Sequence, residues 1–141
     1  MIVDVNRTHK IGAVRSLMKR YIDGFVLPIP KERISDYEAI ARTASKIWKD
    51  HGALEYWDCA GDDLNTECTR SFIDMAKATD DEVIIFAWVV FEPRQARDAA
   101  NEKIMADPRM TEIMNDLANP ENPIIDFQRM AHGGFNEIVG Q

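Results

Sequence analysis

The sequence predicts an α+β protein of ferredoxin-like type, βαββαβ, with an antiparallel sheet carrying its helices on one face. Three observations carry this. Val83 to Phe91 is an unbroken apolar run, mostly β-branched or aromatic, too short for a long helix and composed as a strand. Two other stretches repeat apolar residues at helical spacing: Ile34, Tyr37, Ala41, Ala44 and Trp48 in one, and Ala96, Ala99, Ala100 and Ile104 in the other. Read in order, the segments run strand, helix, strand, strand, helix, strand.

The first 20 residues are basic in a chain whose net charge is −7. Ile11, Val14, Leu17 and Met18 suggest a short amphipathic helix, but termini are poorly ordered unless tied down. Residues 1–17 are expected to be a loosely attached extension to a single domain spanning 18–141; the rival reading makes them a partner-binding arm. Tyr21–Ile29 is the first strand, closed by Pro28 and Pro30, with Gly24 marking close backbone approach. Lys31–His51 is the first long helix, with Gly52 as its left-handed cap. Ala53–Ala60 is a second strand, residues 61–69 a polar loop, and Ser71–Ala78 an edge strand that forms a hairpin with the central one. Pro93 suits the first turn of the next helix, and Asp107-Pro108 ends it. Met110, Ile113, Met114 and Leu117 form a short amphipathic helix. Gln128–Val139, interrupted by Gly133-Gly134, is the last strand.

The central strand raises a packing problem. Val83, Ile85, Ala87, Val89 and Phe91 alternate to one face, and Ile84, Phe86, Trp88 and Val90 to the other. Both sets are apolar, yet helices on one side cover only one of them. A second copy of the chain is the simplest cover for the other, so a homodimer is expected.

Composition sets further bounds. At 141 residues, 45% hydrophobic and 29% charged, the chain is sized and composed as one globular domain. It has no apolar run of membrane-spanning length and no secretory signal pattern, so a cytoplasmic protein without membrane attachment is expected. The acidic balance argues against broad binding of nucleic acid through its phosphates. Cys59 and Cys68 form no metal or redox motif and are expected as free thiols. His9, His51 and His132 lack metal-ligand spacing, and no second feature supports haem, so neither metal nor cofactor is expected.

Several stretches together carry a resemblance: YIDGFVLPIPKE (21–32), HGALEYWDCAGDD (51–63), FAWVVF (86–91), ARDAANEKIMADPRM (96–110) and DFQRMAHGGFNEIV (126–139). In this combination the chain resembles the YbaA-like family of uncharacterised bacterial proteins over residues 18–139. The resemblance implies a dimeric α/β barrel of two ferredoxin-like protomers packed sheet to sheet. It supplies no activity and no catalytic residues. The chain departs from the family pattern in its amino-terminal segment, in a longer ENPIIDF approach to the last strand, and in His132, which stands where a tyrosine is expected before the glycine pair.

Small-ligand binding at the sheet-to-sheet interface is the leading functional expectation. Ala87 is small enough to sit beneath the helices, which turns Phe86 and Trp88 toward the partner. Asp23 is expected on the partner side with Tyr21 and Phe25, because burying a lone charge under a helix is costly. Tyr21, Phe86 and Trp88 would then wall a cavity. Asp23 and His132, on neighbouring strands, would form its polar end as a base and its orienting carboxylate. That pair supports the rival reading of a cofactor-independent monooxygenase or isomerase; a third reading is a protein-interaction module. Arg94, Arg97, Asp98 and Glu102 are expected as ordinary helix-surface charges, with Arg94–Asp98 an i,i+4 pair.

Overall fold

The computed structural model describes residues 19–141, so the expectations for residues 1–17 lie outside the described residues. The chain builds β1 (Tyr21–Pro30), a 3-10 turn (Lys31–Arg33), α1 (Ile34–Asp50), β2 (Glu55–Ala60), α2 (Phe72–Ala76), β3 (Glu82–Phe91), α3 (Arg94–Met105), α4 (Pro108–Leu117) and β4 (Ala131–Asn136). The four strands form one antiparallel sheet in the order β2-β3-β1-β4. The βαββαβ skeleton is therefore present, with α2 and α4 added to it.

The longest ladder joins β1 to β3, from Tyr21 opposite Phe91 to Pro30 opposite Glu82. β4 pairs only with Tyr21–Val26. Pro28 and Pro30 thus lie where β1 has lost its β4 neighbour, and the strand runs to Pro30, one residue beyond the expected Ile29.

The inner face of the sheet carries the main core. Leu27, Ile29, Ile85, Ala87, Val89 and Phe91 pack with Ala44 and Ile47 of α1, Ala100 and Ile104 of α3, and Met110, Ile113 and Leu117 of α4. α1 and α4 contribute the stripes that their spacing marks out, whereas on α3 Ala99 is exposed and Ala100 and Ile104 make the contact. Gly52, at φ 112°, ends α1 in a conformation that a side chain would strain. Asp107 caps α4 by accepting from Arg109 N–H at 3.0 Å, and Pro108 occupies the first turn behind it. Asp107 also bonds His51 Nε2 at 2.8 Å, fastening the end of α1 to the α3–α4 junction. Arg129 grips Glu82 with two bonds of 2.7 Å, which ties the approach to β4 to the start of β3. Those bonds hold the Glu82 carboxyl down at about 2.

Three expectations are corrected. Ser71–Ala78 is no edge strand: Phe72–Ala76 is a short helix. Ser71 Oγ accepts from Ile73 N–H at 3.1 Å, and Lys77 takes the left-handed conformation at the far end. The Ser71-x-x-Asp74 spacing is a helix-start signal that outweighs the apolar composition. This helix also breaks the rule that helices share one face. Ala76 packs with Val26 and Ile84 on the outer face, joined by Leu64 and Ala78. The last strand is shorter than expected, Ala131–Asn136 rather than Gln128–Val139, because Asp126 and the residues after it form turns.

The glycine pair in β4 separates two roles. A Cβ at Gly134 would collide with the ring and hydroxyl of Tyr21, a side chain only 6% exposed and bonded by Arg97. A Cβ at Gly133 would meet only Phe135, at 3.9 Å. Gly134→Ala is expected to destabilise the fold by about 1–3 kcal/mol, as overpacking does, and Gly133→Ala by much less. Urea unfolding of the two variants checks this.

Candidate functional site

The strand register lays inner-face side chains out in transverse rows. One row runs Asp58, Ala87, Phe25, His132, and the next Tyr56, Val89, Asp23, Gly134. In the first row Ala87 stands between larger neighbours, and above it α1 presents Ala41 and Ala44. Small residues facing one another leave a cavity of about 150 Å³ between sheet and helices. Phe25, Tyr37, Trp48 and Tyr56 contribute aromatic wall, and Met110 and Met114 of α4 adaptable thioethers. Trp48 and Tyr56 meet at 5.9 Å between ring centroids.

Asp58 is the one charged side chain on that lining among the described residues. Tyr37 O–H donates to its Oδ1 at 2.6 Å, and Tyr56, two residues before it on the same face, lies beside the carboxylate. Its Oδ2 is shut away from solvent without a hydrogen-bond partner. Burial pushes the Asp58 carboxyl up, against the opposing pull of the tyrosine hydroxyls. Both tyrosines are pushed up as well, first by burial and then by the neighbouring Asp58 charge. Chemically the arrangement is an apolar chamber with one polar end, the usual form of a small-ligand pocket.

The expected site residues divide differently. Tyr21, Asp23 and Phe25 lie on the inner face, beneath the helices and not on the outer face, which corrects the expected orientation. Phe86 and Trp88 do lie on the outer face, so Tyr21 cannot share a wall with them. Asp23, only 2% exposed, is tolerated there because Arg97 of α3 supplies the opposite charge, with Nη1 3.5 Å from Oδ1. Arg97 Nη2 also donates to Tyr21 Oη at 2.9 Å, and its guanidinium sits 4.7 Å above the Tyr21 ring. Burial raises the Asp23 carboxyl more than Arg97 and then His132 lower it. His132 shares the inner face with Asp23, one diagonal step away on the adjacent strand, and no hydrogen bond joins the two among the described residues. Its exposed ring stacks on Phe25 at 4.5 Å instead.

Arg97, expected as a surface charge, is instead turned inward, and the polar roles of Tyr37, Tyr56 and Asp58 were not anticipated. Arg97 had a visible signal, since it falls in line with Ala100 and Ile104 on the inward stripe of α3. Asp58 had a weaker one: the spacing of Glu55 and Asp58 correctly places them on opposite faces, but a single carboxylate on a short strand carries no sign of burial.

Removing Arg97 leaves Asp23 buried without its counter-charge. Arg97→Met is expected to cost on the order of 3 kcal/mol, with most of the loss recovered when Asp23→Asn is added. A thermodynamic cycle by chemical unfolding measures the coupling; additive losses would mean that the pair does not interact.

Comparison with known proteins places the chain in a family. The model of the family described as "Protein of unknown function (DUF1428)" matches residues 20–122. The protein named "Uncharacterized protein YbaA" of Escherichia coli K12 is 34% identical over 122 residues, covering 86% of this chain and 99% of that one. The Shigella flexneri protein of the same name matches equally. Among solved structures, a NIPSNAP family protein with unknown function from Agrobacterium tumefaciens superposes with a TM-score of 0.50 at 13% identity, over 84% of this chain and 87% of that one. That likeness concerns the fold alone. No helix among the described residues is long and apolar enough to cross a membrane. With its family model spanning most of the domain and YbaA matching from end to end, this chain belongs to the YbaA-like DUF1428 family.

Proposed function

We propose that the protein binds a small ligand in the cavity between the inner face of its sheet and α1 and α4. The carrying observation is the chamber itself, whose apolar and aromatic walls converge on the Asp58–Tyr37 pair. A ligand there is held within one protomer, not at the sheet-to-sheet contact that the sequence suggested. The volume suits a molecule of roughly one aromatic ring.

Thermal melting with benzyl alcohol or benzylamine tests the reading. At least one of these one-ring probes should raise the midpoint of the parent, and neither should affect Ala41→Leu, whose added atoms fill the chamber. Equal shifts in parent and variant would overturn it.

The outer face supports a second element of the reading, a homodimer. Trp57 and Trp88 stack at 6.0 Å, Trp88 meets Phe86 at 5.4 Å, and Phe86 meets Phe72 of α2 at 6.1 Å. Trp57 is 50% exposed, Phe86 46% and Phe135 62%. Aromatic surface of this extent on one sheet face marks an interaction site. A second copy laid sheet to sheet would cover it with the same residues. Sedimentation equilibrium is expected to give a dimer at micromolar concentration, and Trp88→Glu a folded monomer, because the new charge would lie in a desolvated contact. A monomeric parent would contradict this.

A further inference from the structure

We propose that the ligand of this cavity is a small organic amine, bound as its ammonium ion, with its apolar body against the aromatic walls and its N–H groups on Asp58. The inference rests on the reading of the cavity as a ligand site and adds the charge that the ligand must carry.

The argument begins with what surrounds Asp58. Among the described residues, no lysine, arginine or histidine lines the cavity. The other inner-face carboxylate shows what the fold does when it supplies one. Asp23 has the charge of Arg97, brought by α3 to 3.5 Å from an Oδ1 that, like Asp58 Oδ2, receives no hydrogen bond. Asp58 has neutral tyrosine hydroxyls instead: Tyr37, donating at 2.6 Å, a short distance of the kind seen with ionised acceptors, and Tyr56 beside it. Its second oxygen is buried and receives no hydrogen bond. A half-buried carboxylate in this condition has a hydroxyl donor but, among the described residues, no counter-charge.

The candidate ligands are separated by charge. An anion would be repelled by Asp58 and would find no basic residue on the lining. A neutral alcohol or phenol offers a donor without charge. An ammonium ion offers several donors and the missing charge together. The walls suit it as well, since the faces of aromatic rings attract cations and Phe25, Tyr37, Trp48 and Tyr56 all contribute to this lining. The cavity, about 150 Å³, limits the body to roughly one ring or a short branched chain.

Calorimetric titration of the full chain with benzylamine, benzyl alcohol and benzoate tests the assignment, because the three share a ring and differ in charge. Benzylamine should bind at least roughly tenfold more tightly than benzyl alcohol, and benzoate not measurably. Asp58→Asn, verified as folded by circular dichroism, should lose the preference for the amine while retaining its affinity for the alcohol. If the alcohol or benzoate binds the parent as tightly as the amine does, the ammonium assignment is overturned and the ligand cavity stands. An unchanged preference in Asp58→Asn overturns the role of Asp58 in the same way. If none of the probes binds the parent, the assignment and the cavity reading fall together. Should Asp58→Asn not fold, the ranking of the three probes on the parent decides.

Discussion

The ladder between β1 and β3 is the constraint on which the rest of the structure depends. Once Tyr21 is set opposite Phe91, every inner and outer position on both strands follows, because side chains alternate and a slip of one residue would exchange the faces. The apolar pattern of β3 does not make this choice, since its two faces are almost equally hydrophobic. Size does. Ala87 on one face allows the alanine-bearing stripes of α1 and α3 to come close, whereas Phe86 and Trp88 on the other would hold a helix away. The bulky side therefore turns outward, and the small side takes the helices. The same small residue leaves the cavity beneath α1, so the choice that orients the sheet also creates the chamber.

That orientation places two carboxylates among apolar side chains, and the fold treats them differently. Asp23 lies under α3, whose Arg97 points inward and meets both the carboxylate and Tyr21. Three groups are thereby packed as a unit, and Gly134 is confined to glycine by the position of Tyr21 in it. Asp58 lies on the same face at the β2 edge, under α1, which offers it a tyrosine hydroxyl. The first carboxylate is part of the architecture. The second has no counter-charge among the described residues that line its cavity.

Much of the fold was legible in the sequence because periodicity reports burial. The stripes at Ile34–Trp48 and Ala96–Ile104, the apolar run of β3 and the break at Asp107-Pro108 each correspond to an observed element. Ser71–Ala78 misled because Phe72, Ile73 and Met75 are apolar yet substantially exposed on a short helix, so their composition reports a surface and not a core strand. The candidate site was less legible for a physical reason. The cost of burying Asp23 argued for the outer face, but that cost applies to a lone charge, and its partner Arg97 comes from an element more than 70 residues away in sequence. Pairing between distant elements leaves no periodic trace. The membership of Tyr37, Tyr56 and Asp58 in one cavity is invisible for the same reason, since it depends on how α1 crosses β2.

The energetic sign of Asp58 bears on why such a residue is kept. A carboxyl whose folded value is raised above its unfolded value binds a proton more readily in the folded chain. Its contribution to stability is fully present below the unfolded value and is lost as pH rises through the folded one. Wherever the group is ionised, Asp58 therefore weakens the fold relative to a neutral side chain of the same shape. Glu82 has the opposite sign: Arg129 holds it at about 2, so its contribution is present above the ordinary carboxylate range and is lost as pH falls toward that value. A protein selected for packing alone would retain groups of the second kind and replace those of the first. A destabilising charge held in the wall of an aromatic chamber is the pattern expected where stability has been given up for binding, and it is the physical reason for treating the cavity, rather than the exposed edge at His132, as the functional centre of the molecule.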